Sequence, residues 1–241
     1  MKSFVLCLII GCVSLFAIPT VVEDINNEVV EDKEVYADKI EIENVELSIS
    51  EVNAVEEVEE VIDTKLHINT NNMVFVGNSL VQGLKSIAKD NNVFYCKVGE
   101  NLYGLNKKVS GQLVNHSCET VVIGMGTNEL GWFTQSQFEE QYGILVRKIR
   151  EINPNSNIVV LSIPPVSQYK SNNSSAYNNV NVRKSNEYIK KICEDNALLY
   201  VDCSEYFGDV LRSDWTGDGM HLNGNAYIGW YNFIKEKISE F

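Results

Sequence analysis

Histidine is the scarcest of the side chains able to shuttle a proton here: the chain holds three, His67, His116 and His221. His221 lies in the segment Asp214-Trp215-Thr216-Gly217-Asp218-Gly219-Met220-His221-Leu222. An Asp three residues ahead of a His, on a short glycine-bearing turn, can orient the imidazole as a general base, and such a base activates a hydroxyl. The candidate hydroxyl is in Gly77-Asn78-Ser79-Leu80, between an apolar run and a helical pattern. There Ser79 would stand at a helix N-terminus, which favours developing negative charge. Taken alone, the segment reads more readily as a helix cap, with Asn78 or Ser79 as the capping residue.

Two further segments offer donors for a negative oxygen. Gly99, in Gly99-Glu100-Asn101, lets the backbone approach a ligand closely, although a glycine after a strand is commonplace. Gly124-Met125-Gly126-Thr127-Asn128-Glu129-Leu130-Gly131-Trp132 carries one amide side chain, Asn128. That amide either donates to an oxyanion or serves a turn in which Asn tolerates a left-handed backbone. No G-x-S-x-G elbow occurs, which argues against an ordinary α/β-hydrolase, although the order Ser, Asp, His is the same. The absence of G-x-G-x-x-G and Walker patterns disfavours dinucleotide and phosphoryl chemistry.

These residues need a frame. Apolar runs at 73–76, 93–98, 120–123, 157–163 and 198–201 predict five strands. Apolar residues at three- and four-residue spacing predict helices over 80–91, 135–152, 180–196 and 223–241. Strands alternating with helices predict an α/β protein: a flavodoxin-like, doubly wound, five-stranded parallel sheet in three α/β/α layers. Ligands of such sheets bind beyond the carboxyl ends of the strands, and all four segments fall there. His116 precedes the third strand and His67 approaches the first, so His221 alone reaches the chemical edge.

Composition divides the chain unevenly. Residues 23–65 hold 16 of the 33 acidic residues against three lysines, and no Gly, Pro or Trp; they carry the whole formal charge of −13. The segment reads as a disordered or weakly helical spacer, with an acidic interaction arm as the alternative. The neutral remainder selects no partner by a global field, and no basic stripe points to nucleic acid. Met1-Lys2 followed by the uncharged run Phe4 to Val22 reads as a signal peptide or membrane anchor over 1–22. Ile9-Ile10-Gly11-Cys12 also resembles a lipobox. Each reading places the folded part, 66–241, outside the cytoplasm, secreted or tethered. Of six cysteines, Cys7 and Cys12 belong to the leader. Cys96, Cys118, Cys193 and Cys203 have no zinc spacing and read as small buried hydrophobes. Cys193 and Cys203 are the pair to expect if a disulfide forms.

Three blocks in order, Gly77-Asn78-Ser79-Leu80, Gly126-Thr127-Asn128-Glu129 and Asp218-Gly219-Met220-His221, resemble those of the SGNH (GDSL-like) hydrolase superfamily over roughly residues 70–241. The resemblance implies Ser79 as nucleophile, His221 as base and then acid, and Asp218 as its orienting partner. It implies an oxyanion hole from the Ser79 N–H, the Gly99 N–H (Gly104 as the fallback) and the Asn128 side chain. Asn78 and Glu129 depart from the Asp usual at both places, without touching the triad. The implied activity is hydrolysis of small acyl esters, with O-acetyl groups on glycans as the leading substrate and no metal or organic cofactor. Trp132, Tyr169 and Tyr177 would line the mouth, unless the 164–179 loop is merely solvated. A lipid or short-chain esterase, an O-acyltransferase and a non-catalytic glycan-binding module on the same fold are the competing readings. A module of that kind predicts a missing triad member, and none is missing. The sequence leaves oligomeric state open.

Overall fold

The structure, a computed structural model, describes residues 68–241. The leader, the acidic spacer, His67, Cys7 and Cys12 lie outside the described residues.

Five strands build the sheet: β1 (Met73–Gly77), β2 (Val93–Cys96), β3 (Thr120–Gly124), β4 (Asn157–Leu161) and β5 (Leu199–Val201). All pair in parallel, in the order β2-β1-β3-β4-β5. This is the expected doubly wound arrangement. Alternation along each strand sorts the two cores. Val74, Val76, Val121, Ile123, Ile158 and Val160 face one layer of helices, formed by α2 (Leu102–Leu113), α3 (Gln135–Ile152) and α5 (Asn179–Asn196). Met73, Phe75, Val122, Val159 and Val201 face the other, formed by α1 (Ser79–Ile87) and α7 (Gly224–Ser239). Two short helices, α4 (Gln168–Asn173) and α6 (Ser204–Phe207), sit on the connections after β4 and β5. Among the described residues no helix is long and apolar enough to cross a membrane.

The structure amends several sequence expectations. Helix α1 stops at Ile87 rather than 91, because Ala88 turns extended (ψ 135°). Strand β2 ends at Cys96, just before the last ladder bond to β1, from Lys97 N–H to Gly77 O. Helix α2 was not anticipated at all. Gly104, Gly111, Asn106 and Ser110 weaken its intrinsic preference. Leu102, Leu105, Val109 and Leu113 are all buried, however, and that packing holds it. All four cysteines of the folded part are free thiols. Cys193 lies in the core of one layer and Cys203 in the core of the other, so the sheet itself separates them.

Candidate active site

The first site residue is placed by the start of α1. Asn78 is the N-cap: its Oδ1 accepts from Leu80 N–H at 2.9 Å and its own N–H donates to Gly124 O at 3.4 Å. Capping is therefore Asn78's task, and the hydroxyl of Ser79, the first helical residue, is left for other use. The helix comes in close because Gly77 and Gly124 lack side chains; a Cβ on either would meet Val81 Cγ2 at 2.2 or 2.5 Å. Ser79 Oγ then lies 2.9 Å from His221 Nε2.

The His221 turn is built between β5 and α7. Asp218 Oδ2 is 2.6 Å from His221 Nδ1, and Oδ1 accepts from the N–H groups of Met220 and His221 at 2.9 and 2.8 Å. Partial burial works against the Asp218 anion, but the imidazole hydrogen bond and those two N–H groups outweigh it, holding the carboxyl well below the usual carboxylate range. An ionised Asp218 fixes the tautomer with hydrogen on Nδ1 and leaves Nε2 free to accept from Ser79. The turn is anchored at Gly219, which has φ +86°. Gly219 O accepts from Ser167 N–H at 2.8 Å, and a Cβ at this glycine would sit 2.6 Å from Ser167 Oγ. Asn223 caps α7 and donates through its side chain to Asp214 O at 2.7 Å, closing the loop from the other end. The side chains of His221 and Asp218 stay open to solvent, 41% and 51% exposed.

Gly99 follows β2 in an exposed turn with φ +70°. Gly104, the fallback, sits in the first turn of α2, where its N–H donates to Asn101 Oδ1 at 2.8 Å, so that donor is already engaged. Asn128 lies in the one-turn 3₁₀ helix Thr127–Glu129 after β3 and donates one amide hydrogen to Glu100 O at 2.7 Å. That bond orients the amide and leaves its second hydrogen for a ligand. The strand order sets Gly99 and Asn128 on either side of Ser79, since β1 runs between β2 and β3.

Trp132 and Tyr169 stand out from the surface, 73% and 79% exposed. Tyr177 is half-buried against the core, with Lys170 Nζ 5.6 Å from its ring centroid. His116 bonds Tyr95 OH through Nδ1 at 2.7 Å, at the amino end of β3 as expected. Two contributors escaped sequence reasoning. Ser167, which braces the His221 turn, left no local signal beyond a helix-capping residue after Pro164-Pro165. Glu129 was visible only as a departure from the family pattern. It is fully buried, and its Oε1 accepts from Leu102 N–H at 2.5 Å. Burial pushes the Glu129 carboxyl up to about 7, against the lowering effect of the surrounding backbone N–H groups.

Residues 75–227, which contain Ser79, Gly99, Asn128, Asp218 and His221, match the GDSL-like Lipase/Acylhydrolase family. No curated protein matches the chain in sequence. Among solved structures, a GDSL-like lipase from Bacteroides thetaiotaomicron superposes with a TM-score of 0.59 at 17% identity, covering 72% of this chain and 91% of that one. A lipase/acylhydrolase from Enterococcus faecalis gives 0.55 at 14% identity, over 70% and 95% of the two chains. The acetylxylan esterase from Geobacillus stearothermophilus gives 0.55 at 12%, over 72% and 96%. At these identities the likeness is one of fold.

Proposed function

Because the chain belongs to the GDSL-like Lipase/Acylhydrolase family, we propose that it is a serine ester hydrolase removing small acyl groups, acetyl foremost, from carbohydrate hydroxyls. The observation that carries the chemistry is the unbroken line Ser79 Oγ, His221 Nε2, His221 Nδ1, Asp218 Oδ2, with links of 2.9 and 2.6 Å. In the reaction, His221 Nε2 takes the Ser79 proton as Oγ attacks the ester carbonyl. The Ser79 N–H, the Gly99 N–H and the Asn128 amide receive the oxyanion. The tetrahedral adduct collapses, and the leaving alkoxide takes its proton from His221. Water then gives a proton to His221 and attacks the acyl-serine. Release of the carboxylic acid returns the hydrogen to Ser79. No step calls on a metal or organic cofactor.

The exposed aromatics on the connections after β3 and β4 support a sugar substrate. Trp132 and Tyr169 present open rings of the kind that cover sugar faces, and one structural neighbour is an acetylxylan esterase. The proposal also places the enzyme outside the cytoplasm, on the strength of the uncharged run Phe4 to Val22, with 23–65 as spacer to a catalytic domain over 66–241. A fluorophosphonate probe and an ester panel that includes acetylated glycans test the reading. Wild-type protein is expected to label at Ser79 and release acetate. Ser79→Ala is expected to lose both while keeping its unfolding transition, and full residual hydrolysis in that variant overturns the assignment.

A further inference from the structure

We propose that Glu129 is a positioning residue: together with Asn128 it grips the β2–α2 turn at two points and so sets the spacing between the two oxyanion donors, the Gly99 N–H and the Asn128 amide. The inference rests on the oxyanion assignment just made.

The two donors come from loops that share no strand contact, because β1 separates β2 from β3. Strand β2 is moreover an edge strand, hydrogen-bonded to β1 alone, so the sheet does little to fix the turn that follows it. Helix α2, on the far side of that turn, is fastened chiefly to α3, through Asn106 to Gln141 and Lys148 to Asn106. What ties the turn to the β3 loop is a pair of neighbouring side chains. Asn128 Nδ2 donates to Glu100 O at 2.7 Å, and Glu129 Oε1 accepts from Leu102 N–H at 2.5 Å. Glu100 and Leu102 flank Asn101, the α2 N-cap, and Gly99 opens the same turn. The turn's own acid points elsewhere: the Glu100 side chain lies over Gly104 and pairs with Lys108.

A carboxyl at position 129 is costly. It is fully buried, its Oε2 has no partner, and burial raises its pKa to about 7. A position that merely filled space would be better served by an apolar side chain. The Leu102 N–H gives the reason for an acceptor here, since the first N–H groups of a helix have no partner within it. An acceptor reaching it from the β3 loop turns a local need into a cross-loop tie.

The test measures kcat and KM of full-chain variants on a soluble acetyl ester, beside Ser79→Ala and Asn128→Ala. Glu129→Met keeps the size and removes the acceptor. Glu129→Asp keeps the carboxyl and shortens its reach. Glu129→Gln keeps both reach and acceptor. The Met and Asp variants are expected to lose about 10–100-fold in kcat, the scale of an ångström-level misplacement, with KM nearly unchanged, and Glu129→Gln to restore most of the rate. If the Met and Asp variants keep wild-type kcat while Ser79→Ala is inactive, the clamp is refuted and the serine mechanism stands. If Ser79→Ala is fully active, the mechanism itself falls. Should Glu129→Met fail to fold, the contrast of Asp with Gln decides: equal losses refute the clamp, and rescue by Gln alone supports it.

Discussion

Glu129→Gln should change how stability responds to pH, in a direction set by the burial of the carboxyl. The Glu129 carboxyl is pushed up to about 7 in the folded protein from an ordinary value of 4.5, because burial removes water from the anion. A group with a raised folded pKa gives its full contribution below the unfolded value, where it is protonated in both states. That contribution is lost as pH rises through the folded value. A gap of some two and a half units corresponds to roughly 3 kcal/mol, most of it developed between pH 5 and 8.5. Glutamine cannot ionise and pays none of this. Its Nε2 lands where Oε2 now lacks a partner, and that penalty is the same at every pH. The informative quantity is therefore the difference between variant and wild type, which also cancels the titration of every other group. Denaturant melts of both proteins at pH 5 and pH 8.5 should show that difference moving in favour of Glu129→Gln by roughly 2–3 kcal/mol. Parallel pH profiles would refute the reasoning, since they would mean that the carboxyl is not desolvated in the folded state.

The site carries three further expectations. Asp218→Asn should lower kcat by roughly 10³–10⁴, because Oδ1 is held by two backbone N–H groups. The new amide must then turn its NH₂ toward Nδ1, which selects the wrong tautomer; steady-state rates at fixed pH, with the melting transition as control, check it. Asn128→Ala should lower kcat about 10²–10³-fold with a small change in KM, as expected when a donor to the oxyanion is lost. Gly219→Ala should destabilise the domain by about 1 kcal/mol or more, since φ is +86° and the added Cβ meets Ser167 Oγ at 2.6 Å. The same variant should slow hydrolysis by moving His221, and calorimetry with kinetics on one preparation would separate the two effects.

Much of the frame could be read from the chain because burial leaves a periodic mark. The run from Gln135 to Ile152 repeats its apolar residues at helical spacing, and the helix has those same bounds. The strands appear as short Val- and Ile-rich runs because a parallel sheet is covered on both faces. Helix α2 shows where such reading stops. Its four buried residues are correctly spaced, but two glycines and polar neighbours dilute the pattern, and only packing against α3 decides the outcome. The candidates Ser79, Asp218 and His221 were legible for a different reason: each follows a strand at the carboxyl edge, and the structure brings them within 2.9 and 2.6 Å of one another in series. That Tyr177 would be half-buried was not legible, because nothing local tells an aromatic ring whether its loop folds over it.

The relation between Asn78 and Ser79 shows why the competing readings of that segment were never exclusive. A helix N-terminus needs an acceptor for its free N–H groups, and a nucleophilic hydroxyl placed there risks being consumed as that acceptor. Asn78 removes the conflict. Its Oδ1 takes the Leu80 N–H, its N–H is tied to Gly124, and it is 1% exposed, so the cap is rigid and dry. Ser79, one residue on, keeps its oxygen for His221 and sits where the helix dipole favours negative charge. Asp and Asn are about equal as caps, so the change from the family's usual Asp preserves the geometry while removing one negative charge from behind the nucleophile. The loss of that charge makes the ground near Ser79 less hostile to an oxyanion, so Asn78→Asp should retain the fold and the Ser79–His221 distance yet lower kcat. If that variant were faster than wild type, the electrostatic part of this account would be wrong.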